Sequence, residues 1–364
     1  MKKKIKVAII FGGRSAEHEI SIISAKNIID AIDKNKYEPI PIGIDKDGTW
    51  YLQEDFDLES NNPKFIKLNK SKEKVILVPL NNSNELISIT TKKSKGKIDV
   101  AFPVLHGPYG EDGSIQGLFR MVNVPYVGAG VLGSAIGMDK DVLKRLLRDA
   151  KIPIPNFKTF TKLTIKNITF KEIAKIVGVP MFIKPAKLGS SVGISKVRDE
   201  KEFKKALDIA FQYDNKILIE EFIKGREIEC SILGNDNPIA SIPGEVIVKS
   251  DFYSYETKYL DEDGAYLEIP AKLPKRISKR IQEYAIEVFN VLSCEGMARV
   301  DFFLRNNTEI LVNEINTIPG FTKISMYPKL WEASGISYPE LIDRLIQLAL
   351  ERFHRERKLK ISFK

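Results

Sequence analysis

Residues 297–320 read MARVDFFLRNNTEILVNEINTIPG, and their pattern predicts a β-hairpin. Two apolar runs, Met297 to Leu304 and Glu309 to Ile315, are separated by four polar residues, as in two strands joined by a short loop. Pairing Leu304 with Glu309 sets the register of the predicted strands. The sequence therefore predicts an antiparallel strand pair that turns sharply at its end, where Pro319 and Gly320 follow.

One face of this hairpin carries groups suited to a metal ion and phosphate. The predicted register places Arg299 opposite Glu314, and side chains alternate between the two faces of a strand. Four polar side chains then share one face: Arg299, Asp301, Glu314 and Asn316. Oxygen donors beside a guanidinium favour Mg²⁺ held on nucleotide phosphates. A solvated strand face with an Arg–Glu pair is the alternative, but the sharp turn after the strand is typical of a ligand-binding edge in an α/β fold.

A second region predicts the other half of a nucleotide site. Lys184 ends a predicted strand, and the loop from Gly189 to Gly193 (GSSVG) can lay backbone N–H groups on phosphate oxygens. Lys140 follows Asp139, the predicted cap of a helix running to about Ala150, where the helix N-terminus adds positive potential. The loop lacks the Gly-Lys-Ser/Thr ending of a Walker loop, which excludes that mechanism.

A predicted strand between these regions offers contacts for a nucleoside. The backbone amides of four consecutive residues are candidates for the adenine edge, and Glu227 for the ribose hydroxyls; the four are Glu220, Glu221, Phe222 and Ile223. A structural crossover with exposed glutamates is equally consistent with the spacing.

The chain reads as an α/β protein in three units, predicted at 1–127, 128–219 and 220–364. The first unit begins with a buried strand (Lys6 to Phe11), after which Ser21 is a candidate helix cap. Residues 50–98 are lysine-rich and predict a peripheral hairpin insert.

Composition excludes several classes of function. The net charge of +9 lies entirely at the chain ends, because Lys2, Lys3, Lys4 and Lys6 contribute four charges and residues 352–364 a net five. A neutral body offers no surface for tracking nucleic acid, so binding of nucleic acid or an anionic membrane through the ends is an improbable alternative. No apolar run reaches the length of a membrane span. The two cysteines form no disulfide framework, and a cytoplasmic location is expected.

Six motifs in this order resemble the D-alanine–D-alanine ligase family of the ATP-grasp superfamily. They are Gly12 to Ser21 (GGRSAEHEIS), Leu105 to Gly107 with Gly110 to Gly113, Met138-Asp139-Lys140, Lys184-Pro185 through Gly193, Tyr255 to Tyr259 (YETKY), and Asn313 to Gly320 (NEINTIPG). The resemblance covers nearly the whole chain. It implies a three-domain ATP-grasp architecture, with an open parallel sheet in the first domain and the nucleotide between the central and C-terminal domains.

The resemblance also implies a mechanism and its residues. ATP phosphorylates the carboxylate of one D-alanine, the amine of a second attacks the acylphosphate, and phosphate leaves. Glu17, hydrogen-bonded with Ser190 and Tyr259, receives the first ammonium, and His106 lies near the first substrate. Lys140, Lys184 and Lys258 contact phosphates, aided by Gly189, Ser190 and Ser191. Asp301, Glu314 and Asn316 hold two Mg²⁺ ions, for which Mn²⁺ is an alternative. Arg299 and the Gly320 N–H stabilise the oxyanion, and Ser325 and Met326 bind the second carboxylate.

The implied role is synthesis of a peptidoglycan precursor by a cytoplasmic homodimer. Tyr259 favours a D-amino acid as the second substrate, because relatives that use D-lactate depart from tyrosine at this position. The closest alternative is an ATP-grasp ligase that uses a different acceptor, D-lactate or another D-amino acid.

Overall fold

The computed structural model describes residues 3–53, 68–70, 73–80, 83–189, 192–248, 265–360 and 362. In these ranges the chain forms four β-sheets with helices packed against them, as the predicted α/β class requires. No helix within the described ranges is long and apolar enough to cross a membrane.

The N-terminal sheet brings the first loop of the chain to a ligand-binding edge. Its strands are β1 (Ile5–Gly12), β2 (Tyr37–Ile44), β3 (Trp50–Leu52), and, later in the chain, β7 (Val100–Pro103). The order is β3-β2-β1-β7, with β1 parallel to β2 and β7 and with β3 as an antiparallel edge. Helix α1 (His18–Ala31) follows β1. The loop between them therefore lies at the carboxyl end of a central strand, where parallel sheets bind ligands.

The predicted cap of α1 is wrong. The helix begins at His18, and Ser21 lies inside it, fully buried. The Ser21 hydroxyl accepts a hydrogen bond from Gly12 N (2.7 Å) and donates one to Val104 O. Ser21 thus satisfies backbone groups at the ends of two strands, a tertiary role that a local capping pattern does not reveal.

The described part of the predicted insert is a three-stranded antiparallel sheet. Its strands are β4 (Val75–Leu80), β5 (Ser83–Ser88) and β6 (Ser94–Lys97). Val75, Leu77 and Leu86 are buried in a core that also contains residues of the N-terminal sheet. Because β3 pairs with β2, residues 50–52 belong to that sheet and not to the insert.

The central unit is built on a second, all-antiparallel sheet. Its strands, in the order β10-β9-β11-β8, are β8 (Phe157–Thr161), β9 (Met181–Pro185), β10 (Ser195–Val197) and β11 (Lys216–Glu221). Helices α2 (Ser114–Met121), α3 (Val131–Met138) and α4 (Lys140–Asp149) precede it, and α5 (Phe170–Val177) and α6 (Glu200–Tyr213) pack on it.

The third unit contains the largest sheet. Its strands are β12 (Arg226–Gly234), β13 (Ile239–Ala240), β14 (Gly244–Val248), β15 (Ala265–Glu268), β16 (Gly296–Arg305) and β17 (Glu309–Asn316). They follow the order β15-β14-β12-β16-β17, and β13 pairs with β12. Helix α7 (Lys275–Val291) covers the buried face of β12 and β16.

The hairpin exists, but its predicted register is wrong. Arg299 lies opposite Asn316, and Asp301 lies opposite Glu314, with a bulge between these pairs and the rest of the ladder. The loop has three residues because Arg305 pairs with Glu309, and the bulge accounts for one further residue. Beyond the bulge the two one-residue errors add to a shift of two, which leaves Arg299, Asp301, Glu314 and Asn316 on their predicted shared face; between the loop and the bulge the register is shifted by one.

The C-terminal helices return to the first unit. Helix α8 (Met326–Ala333) is followed by α9 (Tyr338–Glu356). Leu341, Leu345 and Ile346 of α9 are fully buried in the same core as Val7 and Ile9 of β1. The two ends of the chain therefore share one hydrophobic core.

Arg352, the first residue of the basic C-terminal segment 352–364, is not solvated. Its side chain is buried and donates hydrogen bonds to Gly128 O (2.6 Å) and Tyr126 O (2.7 Å). Lys358 and Lys360, beyond the helix, are exposed. The domain limits at 127/128 and 219/220 stay predictions.

Candidate active site

The predicted face of the hairpin is a connected set of charged side chains. Along β16, Arg299, Asp301 and Phe303 are half-buried and alternate with buried core residues. The Arg299 guanidinium donates to both carboxylate oxygens of Asp301 at 2.7 Å. Asn316 Nδ2 donates to Asp301 Oδ2 at 2.9 Å from the neighbouring strand. Arg299, Asp301, Glu314 and Asn316 thus lie together, as the sequence predicts.

Glu229 completes this set and was missed by sequence reasoning. It lies on β12 opposite Asp301, and Arg299 Nε is 2.8 Å from Glu229 Oε2. Burial works to lower the pKa of Arg299, but the charges of Asp301 and Glu229 outweigh it and hold that pKa well above its ordinary value. The alternation of Glu227 and Glu229 with buried Ile228 and Cys230 was the available signal.

The donor set fits a hard divalent cation bound with phosphate. Asp301 and Glu314 are cross-strand partners, so two carboxylates converge beside one amide, Asn316. Within the described ranges no group of three or more His, Cys, Asp or Glu could hold a metal ion by itself. Mg²⁺ bound by one or two carboxylates usually completes its shell with substrate phosphates and water. These residues therefore suit a nucleotide-bound ion better than a structural metal.

Lys140 connects the hairpin to the glycine-rich loop. Asp139 caps α4 as predicted, accepting hydrogen bonds from the N–H groups of Asp141 and Val142. Lys140 follows as the first helical residue. Its Nζ lies 3.3 Å from Glu314 Oε2 and donates to Leu188 O at 2.7 Å. The Lys140 ammonium thus lies between the Glu314 carboxylate and the start of the glycine-rich loop.

Lys184 lies in a buried cluster of three charges. The carboxylate of Glu220, on β11, pairs with Lys184 of β9 through one oxygen and with Lys144 of α4 through the other. Burial raises the pKa of Glu220, but the two ammonium groups outweigh it and hold that pKa below its usual range. Sequence reasoning missed Lys144, although it lies four residues after Lys140 on a capped helix and so near the same face.

The other candidate nucleoside contacts lie along the crossover from β11 to β12. Glu221 accepts hydrogen bonds from Arg305 Nη1 (2.5 Å) and Asn156 Nδ2 (3.0 Å), so its side chain ties two sheets together. Phe222 packs near Phe182, with its ring 3.9 Å from Lys196 Nζ. Ile223 is buried, and Glu227 lies on the same face of β12 as Glu229. Glu220 is buried, so the alternative of exposed glutamates does not hold for it.

The first-substrate residues come from three parts of the chain. The Glu17 carboxylate, at the start of α1, lies close to two glycines. A Cβ atom placed on Gly107 would be 3.4 Å from Glu17 Oε2, and a Cβ atom placed on Gly189 would be 3.8 Å from it. Gly189 belongs to the glycine-rich loop and Gly107 follows His106. The loop, the N-terminal helix and His106 therefore meet at Glu17.

His106 and Glu111 together hold the peptide of Ile318. His106 Nδ1 donates to Ile318 O at 3.0 Å, and Ile318 N donates to Glu111 Oε1 at 3.2 Å. Because a carbonyl can only accept, the His106 proton is on Nδ1, which leaves buried Nε2 as an acceptor without a hydrogen-bond partner among the described residues. Burial lowers the pKa of His106, which keeps the ring neutral.

Glu111 was also missed, although it lies in the Gly110 to Gly113 motif. Its carboxylate accepts hydrogen bonds from Gly107 N (2.8 Å) and from Ile318 N. Burial and then the charge of Glu17 raise the pKa of Glu111 to about 8. Ile318 lies between Asn316 and Gly320, so Glu111 and His106 fix the backbone that carries both.

The predicted acceptor residues lie immediately after this backbone. A Cβ atom on Gly320 would lie 2.8 Å from Ser325 Oγ, so a side chain there would displace the Ser325 hydroxyl. Ser325 is the N-cap residue of α8 and accepts from Thr322 N at 2.9 Å. The Met326 side chain is buried against Val246 and Leu330, so it is the backbone N–H at the helix start that remains for an anion.

Four predicted site residues, Ser190, Ser191, Lys258 and Tyr259, lie outside the described residues. The hydrogen bonds expected of Ser190 and Tyr259 therefore stay predictions.

Two family profiles match the chain. One, described as the D-ala D-ala ligase N-terminus, matches residues 6–129, and the other, described as the D-ala D-ala ligase C-terminus, matches residues 146–347. The D-alanine–D-alanine ligase of Shouchella clausii is 54% identical over 364 residues, covering 100% of this chain and 99% of the relative.

Solved structures of related ligases resemble this one closely. The D-alanine–D-alanine ligase of Coxiella burnetii has a TM-score of 0.87 at 40% identity, covering 98% of this chain and 96% of that one. The VanG D-Ala:D-Ser ligase of Enterococcus faecalis has a TM-score of 0.85 at 37% identity, covering 95% and 100%. The Bacillus anthracis D-alanine–D-alanine ligase complexed with ATP has a TM-score of 0.73 at 30% identity, covering 98% and 100%.

Proposed function

The chain belongs to the D-alanine–D-alanine ligase family, and we propose that it joins two D-alanine molecules into D-alanyl-D-alanine while ATP is converted to ADP and phosphate. As a member of this family it is an ATP-dependent ligase. The observation that carries the assignment of its chemistry is the Arg299–Asp301–Glu314 face, with Lys140 beside it and Glu17 at the glycine-rich loop.

We propose that ATP lies between the central sheet and the β16–β17 hairpin. Lys184 projects from the central sheet, Lys140 at the start of α4 lies beside Glu314 of the hairpin, and Gly189 begins the loop that would cover the phosphates. The nucleoside would extend along the backbone of residues 220–223, with Glu227 at the ribose. The positive groups are needed because phosphoryl transfer to a carboxylate brings anions together in a site of low dielectric.

Asp301, Glu314 and Asn316 would hold Mg²⁺ on the ATP phosphates. The ion would supply charge compensation at the transferring phosphoryl group. Arg299 holds Asp301 in place through two hydrogen bonds, and Lys140 lies near Glu314, so the carboxylates are oriented by the chain itself.

The first D-alanine would bind between Glu17 and the loop at His106. Glu17 would accept its ammonium, and neutral His106 offers Nε2 as a second acceptor. Its carboxylate attacks the γ-phosphorus, the bond to ADP breaks, and an acylphosphate forms. Arg299 and the Gly320 N–H would then stabilise the oxyanion when the second amine attacks, a contribution typically of about 3–4 kcal/mol per donor.

The second D-alanine would bind its carboxylate at Ser325 and the backbone N–H of Met326, where α8 begins. The amine of this second D-alanine attacks the acyl carbon, the tetrahedral intermediate expels phosphate, and the amide remains. Closure of the loop at residues 188–193, latched by Ser190 and Tyr259, would keep water from the acylphosphate.

A second candidate function is ligation of D-alanine to a different acceptor. The likeness to the VanG D-Ala:D-Ser ligase favours considering D-serine beside D-lactate. Both candidates share the ATP site and differ only at the acceptor, near Tyr259, Ser325 and Met326. Tyr259→Phe is expected to admit D-lactate if the latch selects the acceptor.

The product would serve as a peptidoglycan precursor, made in the cytoplasm by a homodimer. The test is to incubate the protein with ATP, Mg²⁺ and D-alanine, and to measure phosphate release together with the dipeptide by mass spectrometry. Equal amounts of D-serine and D-lactate in the same reaction identify the preferred acceptor, and L-alanine is the control. Phosphate release without any D-alanine product would contradict the proposal.

A further inference from the structure

Among the described residues, Lys144 is the most deeply buried cation near the proposed nucleotide site. Its side chain has no exposed surface, whereas that of Lys184 is 8% exposed. The Lys144 ammonium lies 2.5 Å from Glu220 Oε1 and has no hydrogen-bond partner apart from this ion pair in the described part of the chain. With no exposed surface, the Lys144 side chain is not placed to contact a nucleotide directly.

The cluster of Lys144, Glu220 and Lys184 has two positive charges and one negative charge. A buried charge without a counter-ion is costly, so such a cluster favours the arrival of an anion. Of the two lysines, only Lys184 has solvent access, and it is the next-to-last residue of β9, the strand that leads to Gly189. The anion would therefore be met by Lys184, not by Lys144.

A phosphate that draws Lys184 away would leave Glu220 buried without a partner if Lys144 were absent. Removing one member of a buried ion pair is strongly unfavourable, because the other charge stays desolvated. With Lys144 in place, Glu220 keeps one ion pair whether or not Lys184 leaves. Moving the Lys184 ammonium from the Glu220 carboxylate to a phosphate then costs only the Lys184–Glu220 ion pair.

We propose that Lys144 is a positioning residue for ATP, a permanent counter-ion of Glu220 that leaves Lys184 free to bind phosphate. This role rests on the proposed ATP site. It assigns Lys144 no contact with nucleotide, D-alanine or metal, and its effect passes through Glu220. The dependence on Glu220 separates this role from that of a merely structural core residue.

The test is a double-mutant cycle between Lys144 and Glu220, read out as the KM for ATP. Lys144→Met is expected to raise the KM for ATP at least tenfold while the KM for D-alanine changes less than twofold. In the Glu220→Gln background the same substitution is expected to change the KM for ATP less than threefold, because no carboxylate remains to capture Lys184. Arg148→Met, an exposed position on the same helix, is the control.

An equal rise in the KM for ATP in both backgrounds would overturn the proposal, and so would an equal rise in both substrates' KM values. If K144M does not fold, the comparison of E220Q with K144M/E220Q still decides, since a tenfold difference between them contradicts action through Glu220. Direct titration of the wild-type protein with ATP separates the two proposals. No ATP binding there rejects the nucleotide site itself, whatever the Lys144 variants do.

Discussion

At the scale of single residues, the carboxylates at the centre of the site already lie beside cations of the chain. Asp301 lies against Arg299, Glu314 near Lys140, and Glu220 between two lysines. A neighbouring cation offsets part of the cost of holding each carboxylate away from water. These side chains are therefore already held in place where the proposed nucleotide and metal sites need them.

Glu314→Gln is expected to lower kcat at least hundredfold. The amide keeps the shape of the side chain but removes the negative charge that would compensate Mg²⁺ beside ATP. Asp301→Asn should have the same effect for the same reason. Phosphate release in the presence of ATP, Mg²⁺ and D-alanine measures both.

Glu309→Gln is the control for these variants, because Glu309 lies on the same strand and pairs with Arg305 at an exposed position. It should keep kcat within twofold of the wild type. Wild-type turnover in Glu314→Gln would mean that the hairpin face is not the metal site.

The raised pKa of Glu111 predicts a specific dependence of stability on pH. Because its pKa in the folded protein is about 8, above the ordinary carboxyl value near 4.5, the folded state keeps a proton that the unfolded state has lost. This contribution to the free energy of unfolding is complete below pH 4.5 and falls by about 1.4 kcal/mol per pH unit until pH 8. Glu111→Gln cannot titrate and should lack this component.

Urea unfolding of both proteins without ligands, at several pH values from 5 to 8, measures the effect. As the pH rises, the free energy of unfolding of the wild type should fall relative to that of Glu111→Gln. A constant offset would indicate only the lost hydrogen bond to Gly107 or Ile318, and would contradict the raised pKa.

At the scale of elements, the sequence predicted the faces of the site hairpin but not its register. The face on which a side chain lies depends only on whether its position is odd or even, so it does not change when the strand register shifts by two residues. The loop length and the bulge depend on local backbone geometry that hydrophobic patterns do not encode. The cap at Asp139 was predictable because the N–H groups that it caps belong to its own helix, whereas the Ser21 hydroxyl connects Gly12 with Val104, which is 83 residues away.

Asp139→Ala is expected to lower the free energy of unfolding by about 1–3 kcal/mol. Asp139 caps α4 and also accepts two hydrogen bonds from Lys216 Nζ, at 2.7 and 2.8 Å, so the change removes a cap and an ion pair together. Urea unfolding followed by circular dichroism gives the value.

Two variants separate these contributions. Asp139→Asn keeps a capping oxygen and removes the charge, so it should cost less than Asp139→Ala. Asp199→Ala removes a cap on α6, where the side chain accepts from Glu202 N at 2.8 Å, and should cost about 1 kcal/mol. If Asp139→Ala costs no more than Asp199→Ala, the ion pair with Lys216 contributes nothing.

At the scale of the whole molecule, the sequence did not reveal that the two chain ends share one core. The apolar face of α9 predicts a buried helix, but nothing in its period says that its partner is β1, more than three hundred residues away. The burial of Arg352 was not predictable from the sequence either. A basic tail is usually solvated, and only the packing of α9 explains a buried guanidinium there.

Arg352→Leu is expected to lower the free energy of unfolding by about 2–4 kcal/mol. The substitution keeps the apolar packing of α9 but leaves the carbonyls of Tyr126 and Gly128 without their buried donor. It also removes the cation from the face of the Tyr126 ring, 4.3 Å away. Tryptophan fluorescence, which comes from Trp50 and from Trp331 in the core shared by the chain ends, follows this unfolding.

Arg344→Leu on the same helix is the matched control, because Arg344 is 44% exposed and pairs with Glu340 one turn away. An exposed pair of this kind contributes about 0.5 kcal/mol or less, so the control should unfold near the wild-type urea concentration. If both variants lose the same stability, the loss comes from the helix in general and the hydrogen bonds of Arg352 carry no special weight. A large loss confined to Arg352→Leu would mean that α9 stabilises the backbone at Tyr126 and Gly128, so that the C-terminal end of the chain stabilises the place where the first predicted unit ends.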